Sequence, residues 1–423
     1  MTQPSSSDGL DAGPHKQRGS VDSWLHSQLH RAYLQRQAME LWNFYSYRAI
    51  DPRGGFFDLD AEGLPRDTGE RSLVATTRMI HCYSVAYAAG IPAAREMVGH
   101  GLAHMDALWD QQSEGWFWSR DEVGPVDQRK LNYGHAFAIL AGASATDAGI
   151  AGGRQLLDRA LAIHDRYFWD EDAGAAVDEY LPDWSTQVPY RGQNGNMHLC
   201  EAYLAAAGAT GDQKYVDRAR RIAELIVRTH AQASAWRIPE HYSASWEPDH
   251  DFGRDTSFDV WKPFGATVGH GFEWSRLLLQ VWDASGRQDE WLRGASLELF
   301  ERAWTDGWDA ELGGLVFTTD WHGQTMNADR YHWVLAEAIS AAAALLVARE
   351  HDDVIESRYR ELWGFTDRYL IDHRVGGWFH QLDGQNEVTA DPWFGKPDIY
   401  HALTSCLLPL FGPLEPLLTR AVR

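Results

Sequence analysis

Segments with the hydrophobic periodicity of helices alternate along the chain with short loops that are rich in glycine and aromatic residues. Residues 202–207 and 214–230 read as two helices joined at Gly208–Gly211, and residues 337–349 have the alanine and leucine density of a buried helix. The strict alternation of apolar and polar residues that β-strands show is missing over consecutive segments. The pattern predicts an all-α protein.

The loops recur at a spacing of about sixty residues, which is the length of a helix pair. In most of them acidic or polar residues precede a glycine, and aromatic residues follow it as a short extended stretch. The loops are Gly54–Phe57, Gly115–Trp118, Trp169–Gly174, Gly313–Phe317 and Gly376–Phe379. The long interval between Gly174 and Gly314 leaves room for a degenerate copy near residues 235–237, so we count six units.

Six helix hairpins, none of which can bury its apolar face alone, predict a closed ring of inner and outer helices, the (α/α)6 barrel. An open solenoid has the same period, but its ends would need polar caps, which the sequence lacks. We therefore predict that residues 1–20 are a flexible polar tail and that residues 21–423 form one barrel domain. The loop-to-helix junctions of such a ring converge on one mouth, where we expect the ligand site.

The charge of the chain excludes several classes of partner. Lys and Arg number 38 and Asp and Glu number 60, and the resulting formal charge of −22 repels phosphate backbones and anionic lipids. The 20 Trp, 16 Tyr and 16 Phe either fill the core or stack on sugar rings. We expect a small-molecule substrate, with no nucleic acid and no membrane as partner.

The cysteines and the N-terminus predict a cytoplasmic location. Cys82, Cys200 and Cys406 form no close-spaced pair, which favours a reducing compartment. The N-terminus lacks the pattern of a signal peptide, and the longest apolar run, 339–348, is too short to span a bilayer. We expect a soluble enzyme that is a monomer or a homodimer.

Polar residues cluster where predicted apolar helices begin. In the run RGQNGNMHLCEA (191–202), Asn194, His198 and Glu201 are spaced to share one helix face. A capping cluster is the alternative, but it gives no reason for a histidine and a glutamate on that face. Arg78 also enters an apolar helix, so its charge must find an anion in a structural ion pair or project into a cavity.

Two further histidines each have a carboxylate three residues away. His270 and Glu273 form one pair, and Asp398 and His401 form the other, at a helix start marked by Pro397. A carboxylate beside an imidazole orients the ring and stabilises its charged form. This spacing could also ligate a metal ion, but no further ligands of matching geometry appear, and we predict no metal and no cofactor.

Histidines whose pKa lies near neutrality suit proton transfer. Removing the C2 proton of an open-chain aldose gives an enediolate, whose oxygens need donors such as Arg78, Asn194 or His198. Return of the proton to C1 gives a ketose, and return to the opposite face of C2 gives an epimer. The site is therefore predicted to act on a monosaccharide.

The motifs together resemble the N-acylglucosamine 2-epimerase superfamily over nearly the whole chain. The resemblance is carried by Arg78, RGQNGNMHLCEA (191–202), GHGFEW (269–274) and KPDIYHAL (396–403). It implies an (α/α)6 barrel and metal-independent proton transfer by two histidines, His270 and His401. It further implies that the substrate is bound or polarised by Arg78, Asn194, His198 and Glu273.

Within the family, the run ADRYHWVLAEA that begins at Ala328 looks like the branch of aldose–ketose isomerases that act on mannose or sulfoquinovose. Lys262-Pro263 stands where family members often carry Arg-Pro. We add Trp333, Lys262 and Trp393 to the predicted substrate-binding residues. By resemblance, one histidine, His401, moves the proton between C2 and C1, and His270 opens the sugar ring or makes a second proton transfer.

The expected reaction interconverts D-mannose and D-fructose, or D-lyxose and D-xylulose, through a cis-enediolate. A sulfoquinovose isomerase and a sugar 2-epimerase are the alternatives inside the family. A glycoside hydrolase on the same barrel would need two carboxylates about 5–10 Å apart, whereas the acids here stand beside histidines. A non-catalytic binding protein would be favoured by loss of a catalytic histidine, and both are present.

Overall fold

The computed structural model describes residues 23–256, 258–350 and 352–423, so the predicted tail, residues 1–20, lies outside the described residues. Helices dominate the described part of the chain. The α-helices are α1 (Gln28–Tyr45), α2 (Leu73–Ala88), α3 (Ala94–Ala107), α4 (Asn132–Asp147), α5 (Gly153–Ile163), α6 (Gln193–Thr210), α7 (Lys214–Ala223), α8 (Val268–Ala284), α9 (Glu290–Gly307), α10 (His332–Ala348), α11 (Asp353–Phe365), α12 (Tyr400–Phe411) and α13 (Leu418–Ala421). A 3-10 turn precedes α1, and π-helical turns extend three outer helices: Trp24–His26, His164–Phe168, Glu224–Ala231 and Thr366–Leu370.

The helices form a closed ring of two layers. The inner helices α2, α4, α6, α8, α10 and α12 lie side by side, and α12 closes the ring against α2. Each of the outer helices α3, α5, α7, α9 and α11 packs against the inner helix before it. The sixth outer helix is α1, which packs on α12, so the last hairpin joins the two ends of the fold. The predicted (α/α)6 barrel is confirmed.

The two layers differ in how the sequence patterns their surfaces. Nearly every residue of the inner helix α10 is buried, because neighbours surround it on all sides. The outer helices α5 and α7 instead bury one apolar face and leave charged residues on the other. This contrast explains why the inner helices read as continuous apolar runs and the outer ones as amphipathic segments.

Each outer helix leads into a tight loop with left-handed backbone, at the positions that the repeat predicts. In the degenerate fourth copy, Ala235 (φ 55°) and Trp236 (φ 65°) take this conformation although neither is glycine. The predicted position of the copy is therefore confirmed. The glycines in the other loops are Gly55 (φ 75°), Gly115 (φ 76°), Gly174 (φ 69°), Gly314 (φ 82°) and Gly377 (φ 71°).

Short antiparallel strands follow these loops and surround the end of the ring at which the inner helices begin, which we call the mouth. Most of the strand pairs join neighbouring units of the repeat, and the N–H of Lys396 donates to the carbonyl of Leu59 at 2.8 Å between the last unit and the first. The paired strands are β1 (Asp58–Leu59) with β2 (Pro65–Arg66), β3 (Arg71–Ser72) with β4 (Ser119–Arg120) and β5 (Pro125–Asp127), β6 (Lys130–Leu131) with β9 (Glu179–Tyr180), β7 (Trp169–Asp170) with β8 (Ala175–Ala176), β10 (Tyr190–Gly192) with β11 (His241–Ser243), β12 (Ala266–Thr267) with β13 (Thr318–Thr319) and β14 (Thr325–Asn327), and β15 (Arg330–Tyr331) with β16 (Gln381–Leu382).

The opposite end of the ring is covered by the C-terminal segment, residues 412–423. Its helix α13 packs on α2, α4 and α12, and Leu417 packs against Gly208 at the end of α6. In the part of the chain that the structure describes, every helix is too short or too polar to cross a lipid bilayer. The expected start of α12 at Pro397 is wrong: Asp398 caps the N–H of Tyr400 at 2.8 Å, so the helix begins at Tyr400.

Candidate active site

The starts of all six inner helices converge on a cavity of about 270 Å³ at the mouth. Because every inner helix begins here, the positive ends of the helix dipoles lie at this end of the ring. The polar residues that line it include Arg78, Tyr133, Asn194, His198, His270, Glu273, His380, Asp398 and His401.

The structure brings together all the predicted site residues except one. Trp333 and Trp393 line the same cavity as the predicted polar residues. Lys262 does not line it, although its neighbour Trp261 does; the Lys262 ammonium lies 4.0 Å from the centre of the Tyr190 ring. A cation–π contact with tyrosine, rather than a sugar, therefore accounts for where the Lys262 side chain lies.

His401 lies in the first turn of α12 with a carboxylate near each ring nitrogen. Its Nδ1 donates to Oε1 of Glu337 at 3.0 Å, and its Nε2 lies 3.8 Å from Oδ2 of Asp398. Burial lowers the pKa of His401, and the hydrogen bond to Glu337 opposes that shift. The expectation that Asp398 orients the ring is wrong, because Glu337 of the neighbouring helix α10 does so and Nε2 faces the cavity.

His270 is held in the same way by a residue that local spacing did not reveal. Its Nδ1 lies 2.8 Å from Oε1 of Glu240, a carboxylate in the loop before β11. Gln193 supports this contact by donating to Oε2 of Glu240 at 2.8 Å. The expected pairing of His270 with Glu273 is wrong, since Glu273 contacts other side chains. Glu240 leaves Nε2 of His270 as the nitrogen available to a ligand.

A buried arginine, Arg276, joins three glutamates beneath the cavity. Its guanidinium nitrogens lie 3.1 Å from Glu337, 3.2 Å from Glu201 and 3.5 Å from Glu273. Burial, together with the charge of Glu337, raises the pKa of Glu273 well above its usual range. Arg276 holds the pKa of Glu337 below its usual range in spite of burial. Glu273 is thus the carboxyl group of the three whose protonated form its surroundings favour.

His198 lies between this network and the cavity. Its Nδ1 is 3.6 Å from Glu273 and 3.7 Å from Glu201, and it has no hydrogen-bond partner among the described residues. Burial lowers the pKa of His198 to about 4, so the ring is neutral near pH 7. Asn194, one turn earlier on the same face of α6, also lines the cavity, and its Oδ1 is buried and free for a ligand. The predicted shared face is confirmed.

Arg78 both lines the cavity and forms an ion pair. Its guanidinium lies 3.4 Å from Oδ2 of Asp398 and donates to the hydroxyl of Tyr133 at 2.9 Å. The rings of Phe137 and Tyr400 flank it, with centres 4.6 and 5.1 Å from the guanidinium carbon. The two interpretations that the sequence left open, an ion pair and a cavity residue, therefore both hold.

Aromatic rings form the walls of the site. The centre of the Trp333 ring lies 5.2 Å from the centre of the His270 ring and 5.9 Å from the centre of the His401 ring. At these distances between centres the tryptophan contacts both histidines. Gly269 permits this position, because a Cβ there would come within 2.3 Å of the Trp333 ring. At the rim, Trp393 meets Trp261 with centres 5.2 Å apart. Flat apolar walls with polar groups between them suit a sugar.

The sequence did not indicate Tyr133, His380 or Glu240. Tyr133 lies in the first turn of α4, the one inner helix of the described ring to which the sequence had assigned no site residue. The repeat itself could have indicated it, since each of the other five inner helices contributes a site residue at its start. No local sequence pattern predicts the role of Glu240, because this residue lies in a loop and contacts His270, which is thirty positions later in the chain.

Comparison with known proteins identifies relatives over almost the whole chain. The sequence model of the N-acylglucosamine 2-epimerase (GlcNAc 2-epimerase) family matches residues 54–405. A D-mannose isomerase of Thermobifida fusca is 40% identical over 406 residues, which are 94% of this chain and 98% of the relative. A D-mannose isomerase of Pseudomonas cannabina pv. alisalensis is 38% identical over 410 residues, 95% of this chain and 98% of the relative. A crystal structure of D-mannose isomerase superposes with a TM-score of 0.86 at 32% identity and covers 90% of this chain and 97% of that chain.

Proposed function

Since the chain belongs to the N-acylglucosamine 2-epimerase family, we propose that it is the aldose–ketose isomerase that interconverts D-mannose and D-fructose. One observation carries the proposal. The imidazoles of His270 and His401 each donate a hydrogen bond from Nδ1 to a buried carboxylate, and both rings line one cavity. This arrangement provides two oriented acid–base groups for one small substrate. The same chemistry would serve D-lyxose and D-xylulose.

His401 is the proposed proton carrier between C2 and C1. With Nδ1 donating to Glu337, Nε2 is the nitrogen that takes the C2 proton of the open-chain sugar, and the carboxylate stabilises the imidazolium that forms. Delivery of that proton to C1 on the same face gives the ketose. Because burial lowers the pKa of His401, the ring is neutral and ready as a base near pH 7.

His270 is the proposed group for ring opening. Glu240 fixes its Nδ1 proton, so Nε2 can exchange a proton with the ring oxygen or the anomeric hydroxyl of the sugar. The enediolate needs donors, and the same cavity is lined by the guanidinium of Arg78, the neutral ring of His198 and Glu273, whose protonated form is favoured by burial. These groups stabilise charge that develops on O1 as C2 loses its proton.

The charge of the cavity favours a neutral sugar over a sulfonated one. Among the described residues that line it, Arg78 is the only lysine or arginine, and it is already paired with Asp398. A sulfonate would find no unpaired cation and would lie near the carboxylate of Asp398. This argues for mannose rather than sulfoquinovose as the substrate.

Turnover of D-mannose in D2O, followed by NMR, tests the proposal. We expect fructose that carries deuterium at C1, with glucose only in traces. His401→Asn should abolish both fructose formation and exchange at C2, while His270→Asn should still exchange slowly, because spontaneous ring opening supplies some aldehyde. Glucose labelled at C2 as the main product would instead establish a 2-epimerase, and release of reducing sugar from oligosaccharides would establish a hydrolase.

A further inference from the structure

Conversion of an aldose into a ketose moves two protons, and the histidine chemistry above accounts for only one. The C2 proton goes to C1, but the hydroxyl proton on O2 must also leave and O1 must gain one. In a cis-enediolate, O1 and O2 lie side by side, so one acid–base group that reaches both oxygens can carry this second proton. Such a group must lie next to Nε2 of His401, where the C1–C2 bond is placed.

Asp398 lies at that position with one oxygen available. Its Oδ1 accepts the N–H of Tyr400 at 2.8 Å. Its Oδ2 faces Nε2 of His401 at 3.8 Å, Arg78 at 3.4 Å and Nε2 of His332 at 3.6 Å. Oδ2 is paired with Arg78, but all three distances exceed those of good hydrogen bonds, so Oδ2 can still accept a hydrogen bond from a ligand.

His332 adds a second observation that points to a ligand hydroxyl. Its Nδ1 faces the carbonyl of His380 at 3.3 Å, and since a carbonyl can only accept, Nδ1 carries the hydrogen. Nε2 lies 3.6 Å from Oδ2 of Asp398. Nε2 is buried and has no hydrogen-bond partner within the described ranges. A buried polar atom without a partner, next to a carboxylate oxygen that lines the cavity, points to a polar ligand group nearby, such as a sugar hydroxyl.

We propose that Asp398 is a catalytic residue that carries the hydroxyl proton of the sugar from O2 to O1. The inference rests on the proposed isomerase function. Arg78 keeps the carboxylate in its charged form: although burial opposes it, the pKa of Asp398 lies well below its usual range. The carboxylate is therefore unprotonated at neutral pH, before the sugar hydroxyl reaches it.

The steps balance without any further reactant. Nε2 of His401 takes the C2 proton, the C–H electron pair forms the C1=C2 bond, and the carbonyl pair moves onto O1. Oδ2 of Asp398 takes the proton from O2 and gives it to O1. The O2 electron pair then forms the C2=O2 carbonyl, and the C1=C2 pair takes the proton from His401 at C1. Both side chains end in the protonation state in which they began.

The variant Asp398→Asn distinguishes the transfer of the C2 proton from the transfer of the hydroxyl proton in one experiment. With mannose in D2O, NMR measures fructose formation and the deuterium that enters C2 of recovered mannose. Loss of the carboxylate should slow fructose formation by about 100-fold. The enediolate can still form and return to mannose, so exchange at C2 should fall by much less, and the ratio of exchange to isomerisation should rise by about tenfold or more.

Asp110→Asn is the matched control. Asp110 is also a buried aspartate in an ion pair, with Oδ2 3.0 Å from Nζ of Lys130, but it lies outside the cavity. Its substitution should leave the ratio of exchange to isomerisation at the wild-type value. If Asp398→Asn does not fold, Asp398→Glu, which keeps the charge opposite Arg78 and displaces the oxygen, should show the same rise.

The outcomes are distinct. Wild-type enzyme that makes no fructose would refute the isomerase proposal and this inference with it. Wild-type enzyme that makes fructose, together with an Asp398 variant in which exchange and isomerisation fall by the same factor, would overturn only the inference. In that case Asp398 would serve to position Arg78.

Discussion

Nδ1 of His270 lies 2.8 Å from Oε1 of Glu240, and the two residues are thirty positions apart in the chain. Glu240 is 5% exposed, and it also accepts hydrogen bonds from Gln193 and from the backbone N–H of Thr267. A carboxylate fixed in this way sets which nitrogen of the imidazole carries the hydrogen and stabilises the ring when it is protonated.

Glu240→Gln should therefore lower kcat by about 10- to 100-fold, the range found when partners that orient active histidines are removed. KM should change little, because Glu240 does not line the cavity. Steady-state kinetics with mannose measures both. Glu356→Gln is the control, since Glu356 is equally buried but lies on the outer helix α11. An unchanged kcat in Glu240→Gln would show that His270 needs no oriented tautomer.

Arg78→Ala should cost both stability and turnover. The substitution leaves the buried carboxylate of Asp398 without its cation, which typically destabilises a protein by about 3–5 kcal/mol. Turnover should fall by at least about tenfold, since an oxyanion donor is lost as well. Urea denaturation and kinetics measure the two effects, and Arg78→Lys should recover part of each.

Arg71→Ala is the control for Arg78→Ala, because Arg71 forms an equally buried ion pair with Asp51 outside the cavity. We expect it to lose stability but to retain the kcat of its folded fraction. Full activity in folded Arg78→Ala would assign Arg78 a purely structural role.

Dialysis against EDTA should leave activity intact. Atoms of His198, Glu201 and Glu273 lie within 4.8 Å of one another and could in principle hold a metal ion. However, Arg276 already brings its positive charge to 3.2 Å from Glu201 and 3.5 Å from Glu273. A divalent cation would be repelled by that guanidinium. Loss of activity that added Mn²⁺ or Zn²⁺ restores would contradict this prediction.

The sequence predicts the architecture well because the repeat is a property of local patterns. The loop glycines and the apolar inner helices recur with one period, and even the degenerate copy at Ala235 and Trp236 has the expected backbone. The starts of most inner helices could be located to within a few residues, and with them Arg78, His198 and His401, although α12 begins at Tyr400 rather than at Pro397.

Contacts between units could not be predicted, because local spacing says little about them. Residues three apart on a helix share a face, which correctly placed His270 and Glu273 in one cavity. The spacing of three residues did not make His270 and Glu273 partners of each other, because each side chain also contacts polar side chains from other units of the repeat. Thus Glu240 holds His270, His198 of α6 lies 3.6 Å from Glu273, and the acid opposite Arg78 lies 320 positions later.

Buried histidines should make the protein sensitive to acid. Burial lowers the pKa of His81 and His198 to about 4 and that of His135 to about 3, from an ordinary value of 6.5. Between pH 6.5 and about 4 the unfolded chain binds protons that the folded chain does not, so stability falls as the pH falls. Each of these histidines contributes a slope of up to about 1.4 kcal/mol per pH unit.

We expect the urea midpoint to change little between about pH 7 and 8 and to drop steeply between about pH 6.5 and 4.5. The variant His81→Gln tests one contributor. Nδ1 of His81 lies 2.7 Å from the hydroxyl of Ser144, a contact that glutamine can keep. The variant should lose about 1.4 kcal/mol per pH unit from the slope of unfolding free energy against pH. His373→Gln, whose side chain is 59% exposed, should leave the slope unchanged. An identical slope in both variants would mean that His81 is protonated in the folded protein as easily as in the unfolded chain, in spite of its burial.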